Sequence, residues 1–143
     1  MTVRKILNLK GSGVVTIAPE KCLNEAIALM TKERIGALIV TGKQGEVLGV
    51  LSERDIVHLL ANTDSSRFEK PVSSAMTTEV KSCGPHDTIQ QVMYVMTMGR
   101  FRHMPVVEGG KLAGVISIGD VVKHRLEEME RESEHLKQYI ATA

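Results

Sequence analysis

Aromatic side chains are scarce: they make up 3% of the 143 residues, and there is no tryptophan. Stacking platforms for single-stranded nucleic acid are therefore nearly absent. Charge of one sign is missing too, with 18 Lys and Arg against 17 Asp and Glu and a net charge of +1. A polyanion binder usually carries a marked basic excess or stripe, so nucleic acid is disfavoured as a partner. The two cysteines, Cys22 and Cys83, lie far apart and form no Cys-x-x-Cys pair. That pattern argues for a reducing compartment and against a zinc site. No apolar run approaches the ~18 residues of a membrane span. The opening Met-Thr-Val-Arg-Lys-Ile-Leu-Asn-Leu has two basic residues but no apolar core of signal-peptide length. A cytoplasmic protein is expected.

Catalytic signatures are also lacking. The chain has no Gly-x-Ser-x-Gly, His-Glu-x-x-His, Walker A loop or Gly-x-Gly-x-x-Gly. Its five histidines (His58, His86, His103, His124 and His135) show no metal-ligand spacing. Neither an enzyme nor a metal requirement is expected. Cys22 and Cys83 read as small buried or half-buried thiols rather than redox sensors.

What is present is an ordinary globular composition, 43% hydrophobic and 24% charged. A chain of this length is one domain by the usual prior, burying roughly two-thirds of its unfolded surface. With so few aromatics the core must be aliphatic and rich in methionine.

The chain is also written twice. Val14-Val15-Thr16-Ile17-Ala18-Pro19 matches Val80-Lys81-Ser82-Cys83-Gly84-Pro85 at an offset of 66, and Leu23, Ala26, Met30 and Val40 fall on Ile89, Val92, Met96 and Val106. One residue is then lost in a turn. Gly49-Val50-Leu51-Ser52-Glu53-Arg54-Asp55 falls on Gly114-Val115-Ile116-Ser117-Ile118-Gly119-Asp120 at an offset of 65. The repeats are expected over residues 12–62 and 76–128, joined by a polar, turn-rich stretch from Asp64 to Ser74.

Each repeat reads as β-α-β-β-α. A short strand (Val14 to Ala18, or Val80 to Gly84) ends at a proline. A helix follows, with Leu23, Ala26, Ile27 and Met30, or Ile89, Val92, Met93 and Met96, at helical spacing. A hairpin comes next, turning at Gly42 to Gly45 or at Gly109-Gly110, where positive φ is available. The last helix starts at Ser-x-x-Asp. The fold class is therefore α+β, two pseudo-symmetric units closing a shared core. The first helices are apolar on more than one face; Val95 and Met98 lie off the Ile89-Val92-Met96 face and need a second surface. The tail, residues 129–143, continues a long helix whose narrow Leu126-Met129-Leu136-Ile140 stripe is ringed by charge, with Ser133 at the missing position.

The repeated Gly-apolar-apolar-Ser-x-x-Asp has two readings. Ser52 and Ser117 are good N-caps, and Asp55 and Asp120 sit where an acid favours the helix dipole. The same geometry offers backbone N–H groups to a phosphate and a carboxylate to a ribose diol. Recurrence at the same point of an internal repeat favours the ligand reading.

These residues resemble the CBS domain, and the pair resembles a Bateman module, over about residues 12 to 128. The motifs are Val14 to Pro19, Arg34-Ile35-Gly36-Ala37-Leu38-Ile39-Val40 and Gly49 to Val57. In the second repeat they are Arg100-Phe101-Arg102-His103-Met104-Pro105-Val106-Val107 and Gly114 to Val122. Repeat one has Leu38-Ile39 where repeat two has Met104-Pro105, so its strand start is expected to be less kinked. No catalytic or transport domain is seen beside the pair, which reads as stand-alone.

The resemblance implies adenosine ligands (AMP, ADP, ATP, NAD or S-adenosylmethionine) in two clefts between the repeats. Cleft one takes Ser52, Arg54 and Asp55 with Ser82 and Cys83 and with Arg102, His103, Met104 and Pro105. Cleft two takes Ser117, Ile118 and Asp120 with Thr16, Ile17 and Ala18 and with Gly36 and Ala37. The carboxylates would take the ribose, and Ser, the helix starts and the basic side chains the phosphate. Cleft one is expected to gather the cations Arg54, Arg100 and Arg102, with His103 joining below about pH 6.5. Cleft two is expected to be cation-poor, with Arg34 nearest. The function implied is a regulatory sensor: a homodimer that changes shape and signals to a downstream protein. The alternative is a structural dimerisation module with vestigial clefts.

Overall fold

The computed structural model describes residues 1–11 and 13–142. The elements in order are α1 (Val3–Lys10), β1 (Thr16–Ile17), α2 (Leu23–Glu33), β2 (Ala37–Thr41), β3 (Val47–Ser52), α3 (Glu53–Leu59), α4 (Ile89–Gly99), β4 (His103–Glu108), β5 (Lys111–Ser117) and α5 (Ile118–Thr142). Two single 3-10 turns, Arg67–Glu69 and Val72–Ser74, fill the connection between the repeats.

The duplication survives in detail. β1 runs parallel to β2, with Ile17 opposite Val40, and β2 is antiparallel to β3. In the second half β4 and β5 form the matching hairpin. Both hairpins carry an irregularity at the same point, after Val40 and after Val106. The first strand expected over Val80 to Gly84 is reduced to one parallel bridge, Cys83 to Val106. It is held by Cys83 N–H donating to Pro105 O at 3.0 Å and Val107 N–H donating to Cys83 O at 2.9 Å. Proline at 105 has no N–H to extend the ladder.

The first helices end alike. Arg34 and Arg100 cap α2 and α4 in the left-handed region, with φ of 56° and 57°. The chain is thereby turned sharply into β2 and β4. The Ser-x-x-Asp boxes start the last helices. Ser52 Oγ accepts from Asp55 N–H at 3.4 Å and Asp55 Oδ2 accepts from Ser52 N–H at 2.8 Å. Ser117 and Asp120 make the same exchange at 3.1 and 2.9 Å. Both helix starts are tied to the strand entry of their own repeat, Glu53 N–H to Gly36 O at 3.0 Å and Ile118 N–H to Arg102 O at 2.8 Å.

The core divides in two, and each half is completed by a segment from outside its repeat. Leu23, Ala26, Met30, Leu38, Val40 and Leu51 pack with Val72 of the connection. Lys21 O and Lys70 O anchor that connection by accepting from Val72 N–H and Leu23 N–H. The stretch from Asp64 to Ser74 is thus part of the first core rather than a free linker. Ile89, Val92, Met96, Met104, Val106, Ile116 and Val121 pack with Val3, Ile6 and Leu7 of α1. No element was expected over the N-terminal stretch, yet Val3, Ile6, Leu7 and Lys10 stand at i, i+3, i+4 and i+7. Thr2 caps this helix through Lys5 N–H.

Two expectations about helix faces shift. α3 has no buried residue: Ile56 and Leu59 pack partly against the core, while Val57 and Leu60 are 62% and 59% exposed. In α4, Val95 and Met93 pack against the second core, leaving Tyr94 and Met98 outward. α5 runs 25 residues unbroken, with Val121 and His124 buried at its start and Leu126, Met129, Leu136 and Ile140 exposed along it. No helix among the described residues is long and apolar enough to cross a membrane.

Candidate functional site

A cavity of about 460 Å³ opens where the start of α3 meets the entry of β4. This size suits a small-molecule site. Repeat one contributes Ser52, Glu53, Arg54 and Asp55, and repeat two contributes Arg100, Phe101, Arg102 and His103. The pre-strand segment Thr77, Glu79, Val80 and Lys81 closes the third side. Thr77 exchanges both backbone hydrogen bonds with Val50 at 2.9 Å, and its Oγ1 donates to Asp55 Oδ1 at 3.3 Å.

The cluster expected for cleft one is therefore partly assembled and partly redrawn. Ser52, Arg54, Asp55, Arg102 and His103 share the cavity wall. Ser82 and Cys83 are not on it, because the crossing segment meets the cavity earlier, at 77–81. Cys83 is 8% exposed and faces the second core, with Sγ 3.9 Å from Pro105 O. Burial pushes its thiol up to about 12. Met104 and Pro105 are also buried; alternation along the strand turns Met104 into the core, opposite to its neighbour His103 on the cavity. Gly36 and Ala37, assigned to the other cleft, line this same cavity. The hydrogen bond from Glu53 N–H to Gly36 O holds the entry of β2 beside the start of α3, which places Gly36 on this wall.

The second helix start lies elsewhere. Asp120 accepts from Ser117 N–H, and its Oδ2 also takes the ammonium of Lys10 at 2.7 Å. Lys10 Nζ donates to Val115 O as well, at 3.0 Å. Burial pushes the Asp120 carboxyl up, but the Lys10 and Ser117 donors outweigh it and hold it below its usual value. Ile118 is half-buried beside it. Of the remaining residues assigned to this cleft, Ile17 is buried in the first core, Ala18 is half-buried and Thr16 is exposed. The cation-poor surroundings expected of Asp120 are corrected by Lys10, which stands at the end of α1, a helix not expected from the sequence. Arg34 instead borders a broad surface groove between α2 and α3 with Ile27, Met30 and Val57.

His103 lies within the electrostatic reach of both helix starts. Burial pushes its imidazole below the usual value; Glu53 and Asp120 oppose this, and Lys10 and Arg102 reinforce it. The gain of a proton expected below about pH 6.5 is thus displaced to lower pH. Among the described residues no group of His, Cys, Asp and Glu is placed to hold a metal ion.

Two alike units, each with a hairpin leading into a capped helix start, define a tandem-repeat architecture. The family model for the CBS domain matches twice, over residues 9–62 and 72–127, and the chain belongs to the CBS domain family. It is similar to a CBS-domain containing protein of Agrobacterium tumefaciens whose crystal structure superposes with a TM-score of 0.82 at 46% identity, covering 87% of this chain and 99% of that one. The CBS domain-containing protein YhcV of Bacillus subtilis is 31% identical over 113 residues, 79% of each chain. The fold is also that of CBSX2, crystallised in complex with AMP, at a TM-score of 0.76 and 23% identity over 90% of this chain and 98% of that one.

Proposed function

We propose that this chain is a regulatory module that binds an adenosine nucleotide and passes the signal on through a change in dimer shape. The observation that carries the reading is the convergence on one cavity of the Asp55 helix start from one repeat and of Arg100, Arg102 and His103 from the other. The Asp55 carboxylate suits a ribose diol, and the guanidinium groups suit a phosphate bidentately. A ligand held by both repeats at once binds differently when their relative position changes, which is the requirement for coupling ligand to shape. The CBSX2 complex with AMP supports the ligand class. AMP, ADP, ATP, NAD and S-adenosylmethionine all carry the adenosine group that this site suits.

The reading includes a homodimer and a non-enzymatic role in the cytoplasm, with a downstream protein as the recipient of the signal. Val57 and Leu60 on α3, Tyr94 and Met98 on α4, and Leu126 on α5 leave apolar side chains exposed on the helices. A second copy would cover them in an isologous contact. Sedimentation should give a dimer at micromolar concentration; a monomer would remove this part of the reading.

A thermal-shift panel of the five ligands tests the central claim. A ligand at ~100 times its dissociation constant adds about 2.7 kcal/mol of stability. A dimer that none of the five stabilises would leave the clefts vestigial and the module purely structural.

A further inference from the structure

We propose that the outer length of α5 pairs with α5 of a second copy as a parallel, in-register, two-stranded coiled coil. The assignment rests on the homodimer reading above and deepens it. It names a surface outside the two repeats and fixes the direction in which the paired chains run.

The first observation is a seam. Val122, Leu126, Met129, Ser133, Leu136 and Ile140 follow one another at alternating steps of four and three. That is the a/d pattern of a heptad, kept over about three heptads, and its mean period of 3.5 is the one that suits a left-handed pair of helices. The five apolar members are between 45% and 66% exposed. They are not spent on their own globule. Val121 and His124 are the residues that α5 buries, and Glu128 on the same side takes the Met1 ammonium at 3.3 Å. The seam lies roughly a third of a turn round the helix from that side.

The second is that the helix outruns its support. Every residue from Met129 to Thr142 is exposed. A helical stretch of this length is marginal by itself in water, because nucleation is costly and propagation returns little. A partner along the seam supplies the missing burial. The first turns of α5 are anchored on the globule, so two seams stay close once the globules have paired, and a short coil then closes as an intramolecular step.

The third is charge, which decides both the occupant and the direction. With Leu126 and Ser133 at a, Arg125 and Glu132 fall at g, and Glu130 and Lys137 at e. In a parallel pair each g position meets the following e position of the other chain. Arg125 then meets the partner's Glu130, and Glu132 meets the partner's Lys137. Both contacts attract, and symmetry repeats them. Arg125 Nη1 is shielded from solvent and has no hydrogen-bond partner among the described residues; Glu132 Oε1 is 3.8 Å away. It therefore has a donor to give. An antiparallel pair sets e against e and g against g. With the whole seam overlapped, Glu130 and Glu132 each meet their own copy, and Lys123 meets the partner's Lys137. All of these repel. Sliding by one heptad to escape leaves Leu136 and Ile140, or Val122 and Leu126, uncovered. The surface that complements this seam is the same helix, running the same way.

The test is disulfide cross-linking and thermal unfolding of the full chain. Leu126→Cys and Leu136→Cys are made separately, each with Cys22→Ser; Cys83 stays, being buried. The two are mixed, allowed to exchange and oxidised at micromolar concentration. Each should link to its own kind, because a parallel pair sets every a or d position against its own copy. Links chiefly between the two kinds would overturn the parallel direction, and no links in a dimeric chain would overturn the coil. Ser133→Ile, which completes the seam, should raise the unfolding temperature by about 4 °C or more. Gln138→Ile, on the outer face, should leave it within about 2 °C. Equal effects of the two would mean that the seam is uncovered or is held for another protein, and would overturn the coil while leaving the homodimer standing. A monomeric wild-type chain would overturn both.

Discussion

The Cδ2 atom of Leu7 lies 2.7 Å from where a Cβ on Gly114 would stand, so the N-terminal helix rests directly on the backbone of β5. Gly49 plays the same part in the first hairpin, with Thr77 O 2.7 Å and Met76 Sδ 2.9 Å from its Cβ position. Each repeat thus keeps a glycine where a segment from outside it crosses the hairpin. Gly49→Ala should destabilise the chain by about 1–3 kcal/mol. The atom it meets is a backbone carbonyl held in the Val50–Thr77 pair. Gly114→Ala should cost less, because the end of Leu7 can swing away. Urea unfolding of both variants measures the difference. A double-mutant cycle of Gly114→Ala with Leu7→Ala should show the two to be non-additive.

Asp55 closes a capping box, and the proposed function gives it a second part as a ligand; the two are separable. Asp55→Ala should cost about 1 kcal/mol of stability through the lost capping box. It should also weaken nucleotide binding by about 1.5–3 kcal/mol, the range for hydrogen bonds to a charged group. Thermal unfolding and calorimetry on the same variant read the two parts. A loss of stability with affinity unchanged would make Asp55 a cap and nothing more.

Stability should fall on mild acidification partly because of His103. Its folded pKa is depressed by burial, so the unfolded chain takes up a proton more readily than the folded one. Stability linked to this residue is complete above the ordinary imidazole value and declines as pH drops through it. The charges of Glu53 and Asp120 soften the effect, while those of Lys10 and Arg102 strengthen it. Proton NMR should place His103 below an exposed histidine, and His103→Gln should flatten the stability profile between about pH 7 and pH 5. An unshifted titration would contradict the burial described.

The two cysteines should differ sharply in reactivity. Cys83 is buried with its thiol pushed up to about 12, whereas Cys22 is half-buried at the start of α2. An alkylating reagent at pH 8 should label Cys22 in the folded protein and Cys83 only after unfolding, since the thiolate is the reactive form. Mass spectrometry of the peptides distinguishes them. Rapid labelling of Cys83 in the native state would show that the second core opens locally.

Local pattern carried most of the architecture. Helical spacing of Leu23, Ala26, Ile27 and Met30 and of Ile89, Val92, Met93 and Met96 marks α2 and α4; all but Ile27 and Met93, which are half-buried, are buried. The Ser-x-x-Asp boxes mark the starts of α3 and α5 to the residue, since a cap is made within one turn. The repeat offset pairs the hairpins and with them the Asp55 and Asp120 corners. Such features depend on neighbours a few positions apart, and the sequence is sufficient for them.

Only the tertiary structure decided which segment completes which core. The Lys10–Asp120 contact spans 110 positions and that of Thr77 with Asp55 spans 22. Neither partner carries a local signal of the other. The same holds for Cys83, whose place in a strand-like motif suggested a cleft but whose bridge to Val106 turns it into the core. Which way a side chain faces in a single bridged position is set by what packs above it, and here that is α4 and α1. The sequence alone determined two alike units with capped helix starts. The crossing of α1 and of the inter-repeat segment, driven by burial of Val3, Ile6, Leu7 and Val72, decided how those starts differ.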